Sequence, residues 1–328
     1  MNTLIQAIIN GLGTGAVYAL LAVSFVIIFR ATGVLNFAQP GLFILGSFFC
    51  SYFAVSLGLP FYLAVVLAMA VVALISIAVE RVAIRPMIGR PVFAAALVTV
   101  GLFTILLILA FRLFDAAART VNDPWQLNRF CLVSSDTGCS IAVAHNTIAR
   151  FVIAMVVLAA LGWWLSRSRI GLAMRATSLD QEVALAQGID VGRVFSLSWA
   201  IGGALAALAG ILLAANGTVV QATDSLFALV ALPALILGGI DSLKGAVIGG
   251  LLVGLISAVT SAYQPIYASW LGPNFEPSRL GRPRRPHADP RGAAHAWVRP
   301  ERSARASHDQ GRTAPDVHRT AGHATGMR

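Results

Sequence analysis

The sequence is poor in charged residues and in the side chains on which catalysis depends. Charged residues make up 12% of the 328 residues, whereas soluble domains contain about 25%. His145 is the single histidine before residue 287, and the sequence contains no glycine-rich phosphate loop of the Walker type. Since it offers no cluster of nucleophile, base or metal ligands, the sequence predicts neither an enzyme nor an ATP-binding subunit.

Apolar residues are abundant. They make up 57% of the chain, and the mean hydropathy is +0.78, whereas soluble proteins contain about 45–50% apolar residues. Only helices and closed barrels satisfy their own backbone hydrogen bonds in lipid, and the runs here are continuous where barrel strands would alternate. We therefore predict an all-α fold, a polytopic transmembrane helix bundle with about eight spans.

Eight apolar windows define the predicted spans. The first is too long for a signal-peptide core of about 7–15 residues, so we interpret it as a span. The seventh is short and contains Pro233, which predicts a re-entrant or broken element. Charged residues do not lie well inside any window, which disfavours a proton-driven carrier. The windows are Leu4 to Phe29, Val34 to Leu57, Pro60 to Val79, Val92 to Phe111, Thr147 to Leu165, Phe195 to Ala215, Ser225 to Ile240 and Gly245 to Tyr263.

Arginines indicate the orientation, because basic residues in short loops stay on the cytoplasmic side. Two loops separated by two crossings share this enrichment, so both are predicted to be cytoplasmic. The long loop from Arg112 to Asn146 and the amino terminus are then outside. In that outer loop, Cys131 and Cys139 form either a disulfide or two free thiols. The arginines are Arg81, Arg85 and Arg90 in one loop, and Arg167, Arg169, Arg175 and Arg193 in the other.

A polar interruption lies at the start of the second window. Asn36 and Gln39 are three residues apart and share a helical face, while Pro40 and Gly41 bend or break the backbone. Uncharged hydrogen-bonding groups at a broken helix suit the path of a zwitterionic solute. The alternative is a helix that starts at the membrane face with Asn36 as its cap.

The cytoplasmic loop over residues 166–194 contains a short amphipathic segment. Leu179, Glu182, Val183, Ala186 and Gln187 occupy changing faces of one predicted helix, and Gly188 is predicted to end it in a left-handed conformation. Such a helix either docks into a groove of a soluble partner and transmits its motion, or lies on the bilayer surface.

Small residues recur at helical spacing and predict close helix packing in lipid. The most regular series lies in the last window. It consists of Gly245 with Gly249 and of Gly250 with Gly254.

Four separated blocks resemble a known family. Gly33–Gln39, Glu80–Pro86, Ser168–Ala176 and Leu237–Gly250 are similar, in family order, to blocks of the LivH-type inner-membrane permease of branched-chain amino-acid ABC importers. The resemblance covers the chain up to about residue 276. Pro40 stands where relatives often have glycine.

The resemblance implies the function and the partners. A permease of this type moves branched-chain or related amino acids across the bacterial inner membrane. Its partners are a second, LivM-like permease, two cytoplasmic ATPase subunits, a periplasmic solute-binding protein and the lipid bilayer, with no nucleic acid. ATP is bound by the partner subunits, so no cofactor is expected in this chain.

Residue by residue, the resemblance extends to the inner loop. Glu182, Ala184 and Gly188 resemble the EAA loop that contacts the ATPase, although Val183 replaces its middle alanine. Asn36 and Gln39 are candidates for the translocation path. The alternative function is a stand-alone channel or facilitator for a small polar solute; within the family, a urea or amide importer permease is also open.

The composition changes after residue 276. We expect a transmembrane permease domain over residues 1–276 and an arginine-, proline- and alanine-rich disordered tail over residues 277–328. The tail holds 11 arginines and four acidic residues, a net +7 of the chain's +10. Since the family pattern continues into one more apolar helix, we expect that the final span is missing and that a frameshift produced the tail. A disordered basic arm for nucleic acid or anionic lipid is the alternative.

Overall fold

The computed structural model describes residues 2–87, 91–114, 120–125, 128–135, 138–215 and 221–270. The predicted tail, its frameshift origin and the missing final span lie outside the described residues. Within the described residues the α-helices are α1 (Asn2–Thr32), α2 (Gln39–Ser51), α3 (Phe61–Val79), α4 (Val92–Phe114), α5 (His145–Arg167), α6 (Arg169–Leu179), α7 (Gln181–Ala186), α8 (Val191–Ala214), α9 (Ala231–Gly238) and α10 (Leu243–Trp270).

The helical prediction is confirmed, because seven helical segments of the described chain are long and apolar enough to cross a membrane. π-helical turns extend two of them, Tyr52–Ser56 after α2 and Glu80–Ile84 after α3. The segments are Asn2–Thr32, Gln39–Ser56, Phe61–Met87, Phe93–Phe114, His145–Arg167, Val191–Ala214 and Leu243–Gln264. We use "inner side" for the end of the bundle where α1, α3 and α5 finish, which the arginines predict to be cytoplasmic, and "outer side" for the other end.

Helices α1, α2 and α8 form the centre of the bundle. The apolar window of α1 is 83% buried, whereas the windows of α3, α4, α5 and α10 are each 22% buried. These four helices lie at the periphery of the bundle and expose large apolar side chains such as Leu74, Ile105 and Val156. Such a distribution suits lipid, because an apolar surface toward hydrocarbon carries none of the cost that it has in water.

A two-stranded antiparallel hairpin lies on the outer side, in the loop between α4 and α5. Strands β1 (Arg129–Ser135) and β2 (Gly138–Ala144) pair with Cys131 opposite Ala142. The Gln6 side chain on α1 hydrogen-bonds to the backbone of β2. Its amide donates to Ala142 O at 2.8 Å and accepts from Ala142 N at 3.1 Å. Cys131 is disulfide-bonded, so of the two alternatives for this loop the structure has the disulfide, while Cys50 is a buried free thiol.

The seventh window is short, as predicted, but its helix continues without a break, and Pro233 lies in the first turn of α9. It consists of a 3-10 helix, Ala222–Val230, followed by α9. Nine residues of 3-10 helix and eight of α-helix rise by about 18 and 12 Å, and their sum matches the roughly 30 Å of hydrocarbon. The segment follows the outer end of α8 and leads to Lys244, which shares a cleft with Arg30 on the inner side. It therefore connects the two sides of the bundle with fewer residues than an α-helix needs.

Helix α10 packs on two neighbours through its glycines. A Cβ atom at Gly250 would meet the backbone of Ala19, and one at Gly254 would meet the backbone of Gly15. A Cβ atom at Gly245 or Gly249 would instead meet the backbone of α9. The glycine series thus faces α1 on one side and α9 on the other, and the closeness of these backbones requires small residues.

The Gly254→Ala substitution is expected to destabilise the protein. Overpacking in a tight contact costs about 1–3 kcal/mol, and relief requires α1 and α10 to move apart. Gly101→Ala is the matched control, because a Cβ atom there meets nothing within 4 Å. Thermal unfolding in detergent should show a lower midpoint for Gly254→Ala and an unchanged or higher one for Gly101→Ala, since alanine favours a helix interior over glycine by about 0.5–1 kcal/mol. Equal midpoints for the two variants would contradict this packing.

Candidate functional site

The polar interruption after α1 forms a buried turn. Gly33, with φ +71°, ends α1, and α2 begins at Gln39 with Pro40 in its first turn. Pro40 therefore starts a helix instead of breaking one, because its missing N–H is not needed there. Asn36 Oδ1 accepts a hydrogen bond from Ala38 N at 3.0 Å, and Asn36 Nδ2 donates to Gln39 Oε1 at 2.9 Å.

Gln39 joins the three central helices. Its Nε2 donates to Ser24 Oγ on α1 at 2.8 Å and to the Gly202 carbonyl oxygen on α8 at 3.2 Å. The Gln39 side chain is fully buried, and Asn36 is 2% exposed. A buried amide left without partners costs several kcal/mol, so these bonds hold α1, α2 and α8 in one arrangement. The role of Asn36 and Gln39 in a translocation path remains a prediction.

A polar cleft of about 690 Å³ opens on the outer side between α1 and α10. Polar side chains of α1 line it at every fourth position, which places them on one helical face, and two serines of α10 lie opposite with the same spacing. These residues are Asn2, Gln6, Asn10, Thr14 and Tyr18 on α1, and Ser257 and Ser261 on α10. None of them is charged. We did not predict this stripe from the sequence, although its four-residue spacing inside the first apolar window is a readable signal.

The cleft ends at an aromatic pair. The Tyr18 ring stacks on Phe227 of the 3-10 helix, with 4.7 Å between ring centroids and 16° between planes. Its hydroxyl group is hydrogen-bonded to Ser257, and Tyr18 is 3% exposed. The cleft therefore runs from the exposed Asn2 to the buried Tyr18 and the 3-10 helix.

The inner loop contains two short helices, not one. Asp180 separates α6 from α7, and its Oδ1 accepts from Glu182 N at 2.8 Å and Val183 N at 3.0 Å. Leu179 therefore ends α6 and lies outside the helix that contains Glu182, which corrects the predicted single helix. The reason is local, since an aspartate caps a new helix better than it continues an old one.

Helix α7 is closed at its other end by Gly188. Gly188 has φ +80°, the left-handed conformation expected for a glycine that ends a helix. Its N–H donates to Leu185 O at 2.9 Å, and Ile189 N donates to Ala184 O at 3.0 Å, which is the bond pattern of a Schellman motif. Both ends of this six-residue helix are thus fixed by specific hydrogen bonds.

The loop presents apolar side chains to its surroundings. Leu179, Val183 and Leu185 are 88%, 55% and 58% exposed, and Glu182 is also exposed. Ala184 is 2% exposed and faces the bundle. The loop is therefore anchored on one face through Ala184 and offers leucine, valine and one carboxylate on the other.

A partly buried ion pair ties the π-helical turn after α3 to the start of α8. Glu80, fully buried in the π-helical turn, accepts from Arg85 Nε at 3.2 Å and from Ser196 Oγ at 2.6 Å. Arg85 Nη2 also donates to Gly192 O and to Ser196 Oγ, both at 2.9 Å. We call Glu80, Arg85 and Ser196 the inner lock. Sequence reasoning noted the Glu80–Pro86 block but could not pair it with Ser196, which lies 116 residues away.

Comparison with known proteins matches residues 7–274 to the family described as the permease component of the branched-chain amino acid transport system. The LivH permease protein of the high-affinity branched-chain amino acid transport system of Salmonella typhimurium is 30% identical over 274 residues, which cover 79% of this chain and 86% of the relative. BraD, the corresponding permease protein of Pseudomonas aeruginosa, is 28% identical over 264 residues, with 77% and 85% covered.

One solved structure, PsaBC from Streptococcus pneumoniae in complex with Fab, covers 80% of this chain and 94% of its own at 16% identity. Its TM-score of 0.32 carries no structural argument.

Glu80→Gln is expected to weaken the inner lock. The change keeps the size of the side chain but removes the charge that holds Arg85, at a cost of about 1–2 kcal/mol for a charge-assisted hydrogen bond, reduced because the Arg85 side chain is 41% exposed. Asp190→Asn is the control, since Asp190 pairs with Arg193 in an exposed ion pair and asparagine caps α8 equally well. Thermal unfolding in detergent should show a lower midpoint for Glu80→Gln only; equal effects would contradict a lock based on burial.

Proposed function

Because the chain belongs to the family of branched-chain amino acid transport permeases, we propose that it is the membrane-spanning subunit of an ATP-binding-cassette importer in the bacterial inner membrane. Its cargo is a branched-chain or related amino acid. It works with a second permease, two cytoplasmic ATPase subunits and a periplasmic solute-binding protein. ATP is bound and hydrolysed by the partners, while this chain forms part of the solute path and transmits the motion of the ATPase subunits.

The observation that carries the proposal is the exposed inner loop. Helix α7 is capped at both ends, attached to the bundle by Ala184, and presents Val183 and Leu185 away from it. A short rigid helix with an apolar outer face fits a groove of a soluble subunit. A stand-alone channel does not require such a helix, because it has no soluble subunit whose motion the helix could transmit.

Only a short segment separates α7 from the membrane-spanning helix α8. Gly188 and Ile189 join α7 to Asp190, the cap of α8. Helix α8 bonds to the inner lock through Gly192 and Ser196, and to Gln39 through Gly202. A displacement of α7 by the ATPase thus acts directly on the helix to which both buried polar clusters attach.

The outer cleft provides the solute side of the mechanism. A zwitterionic amino acid carries an ammonium and a carboxylate, and amide and hydroxyl groups bind both without placing an unpaired charge in the protein. Asn10 and Thr14 lie between the mouth of the cleft and its Tyr18 base. We propose that solute released by the binding protein enters here.

Asp substitutions at Val183 and Leu185 should abolish coupling. Both side chains are exposed, so the double variant Val183→Asp/Leu185→Asp is expected to unfold at the wild-type temperature while ATP-driven uptake falls by more than about tenfold, as for loss of two apolar contacts of about 1–3 kcal/mol. Gln181→Glu adds a negative charge to the same helix where the helix dipole favours it, and should leave uptake unchanged.

The measurement is uptake of labelled leucine by proteoliposomes that contain the complete transporter. Full uptake by the double variant, or uptake by the permease alone without ATP, would refute the importer and support a stand-alone facilitator.

Asn10→Leu should impair transport without affecting coupling. The substitution keeps the number and branching of the heavy atoms but removes the hydrogen-bonding groups of an exposed position in the cleft, and one lost hydrogen bond to a charged solute group corresponds to about a 10- to 100-fold effect. Uptake should fall, whereas the ATPase activity of the complete transporter should still depend on the permease as it does in the wild type. Leu12→Met, a volume-conserving change on the same helix, is the control; normal uptake by Asn10→Leu would remove the cleft from the path.

A further inference from the structure

A second cleft, of about 530 Å³, lies on the inner side where α1, α5, α6 and α10 meet. This cleft is separate from the face of α7 that we propose to contact the ATPase, because Val183 and Leu185 do not line it. Three cations from three different elements do: Arg30 at the end of α1, Arg175 on α6 and Lys244 at the start of α10. Like charges gathered around one cavity repel each other unless an anion occupies it.

The charge balance within the cleft is positive. Asp241 is the one acidic side chain among its lining residues, which leaves a net +2. The Ser242 hydroxyl accepts from Gly245 N at 3.0 Å and caps α10, so the positive end of that helix dipole also faces the region. Arg175 donates one N–H to Leu165 O at 3.3 Å, and its other donors remain for a ligand, since a guanidinium has five.

The walls of the cleft are apolar. Ile27 and Met174 lie beside the cations, and Trp163 stands at the rim, 62% exposed, with the Arg167 guanidinium 5.8 Å from its ring centroid. Exposed tryptophans with neighbouring arginines are typical of the level of lipid headgroups. A cleft lined by both cations and apolar side chains suits a molecule that is anionic at one end and hydrocarbon at the other.

We propose that this cleft binds the phosphate headgroup of an anionic phospholipid of the cytoplasmic leaflet. Arg30, Arg175 and Lys244 hold the phosphate, and an acyl chain follows Ile27 and Met174 toward the bilayer. Basic pockets between transmembrane helices on the cytoplasmic side bind anionic lipids for this reason. A free phosphate ion shares the headgroup chemistry but gains nothing from the apolar wall. The bound lipid would join α6, which leads into α7, to α1 and α10.

The test measures lipid binding to the purified chain in detergent by native mass spectrometry, with phosphatidylglycerol as the probe. Phosphatidylcholine and inorganic phosphate are the comparison ligands. Phosphatidylglycerol should bind at least tenfold more tightly than either. Arg30→Gln, Arg175→Gln and Lys244→Gln should each weaken binding about fivefold, and Asp241→Asn should strengthen it.

Arg169→Gln is the control, because Arg169 is an exposed arginine on α6 that does not line the cleft, and it should bind phosphatidylglycerol as the wild type does. Asp241→Asn keeps the test informative if an arginine variant fails to fold. Equal binding of the two lipids, or an affinity that none of the four cleft substitutions changes, would overturn the proposal. Tight binding of inorganic phosphate with the same sensitivity would make this a site for a free anion and overturn the lipid assignment.

Discussion

The fold depends on backbone-to-backbone contact among α1, α2 and α8. A Cβ atom at Gly46 would meet the Ala207 backbone, and one at Gly210 would meet the Phe43 backbone, so α2 and α8 touch without intervening side chains. In lipid, dispersion and hydrogen bonds replace the hydrophobic effect as the force between helices. Gln39 supplies the hydrogen bonds at this junction. The centre of the bundle is therefore held by close backbone contacts and a few hydrogen bonds, and its peripheral helices are free to meet lipid or partners.

The two clefts of the bundle differ in charge. The outer cleft is lined by amides and hydroxyls, whereas the inner side carries Arg30, Arg85, Arg175 and Lys244. The uncharged lining of the proposed entrance repels neither end of a solute that carries both charges. A basic inner surface instead favours the anionic leaflet and fixes the orientation. Among the described residues, Glu80 is the one buried carboxylate on that side; it pairs with Arg85 and serves structure.

The sequence predicted what depends on local composition. Apolar windows located the spans, because a crossing helix must carry about 20 apolar residues wherever it packs, and Gly188 indicated the end of α7 because few other residues adopt its conformation. The seventh window was harder, since length rules assume 1.5 Å per residue and the 3-10 helix rises by about 2.0 Å. The inner lock was beyond prediction, because nothing local to Glu80 indicates Ser196. The polar stripe of α1 was within reach: its spacing of four is visible, but a scan of mean hydropathy averages it away.

Helix α8 sets the limits on how this bundle can move. Its 24 residues span about 36 Å as one straight helix, so a push at Val191 is transmitted as a tilt or a slide of the whole element. Glycine and alanine contacts permit sliding, because no interlocked side chains have to change rotamer. The outer end of α8 then leads toward the 3-10 helix, a helix type with poorer hydrogen-bond geometry than the α-helix. Nine residues differ in length by about 4–5 Å between 3-10 and α-helix, so this segment can change its length by changing its helix type. Its Phe227 stacks on Tyr18, and both residues line the outer cleft, so a change in the length of this segment would move a side chain of the proposed solute path.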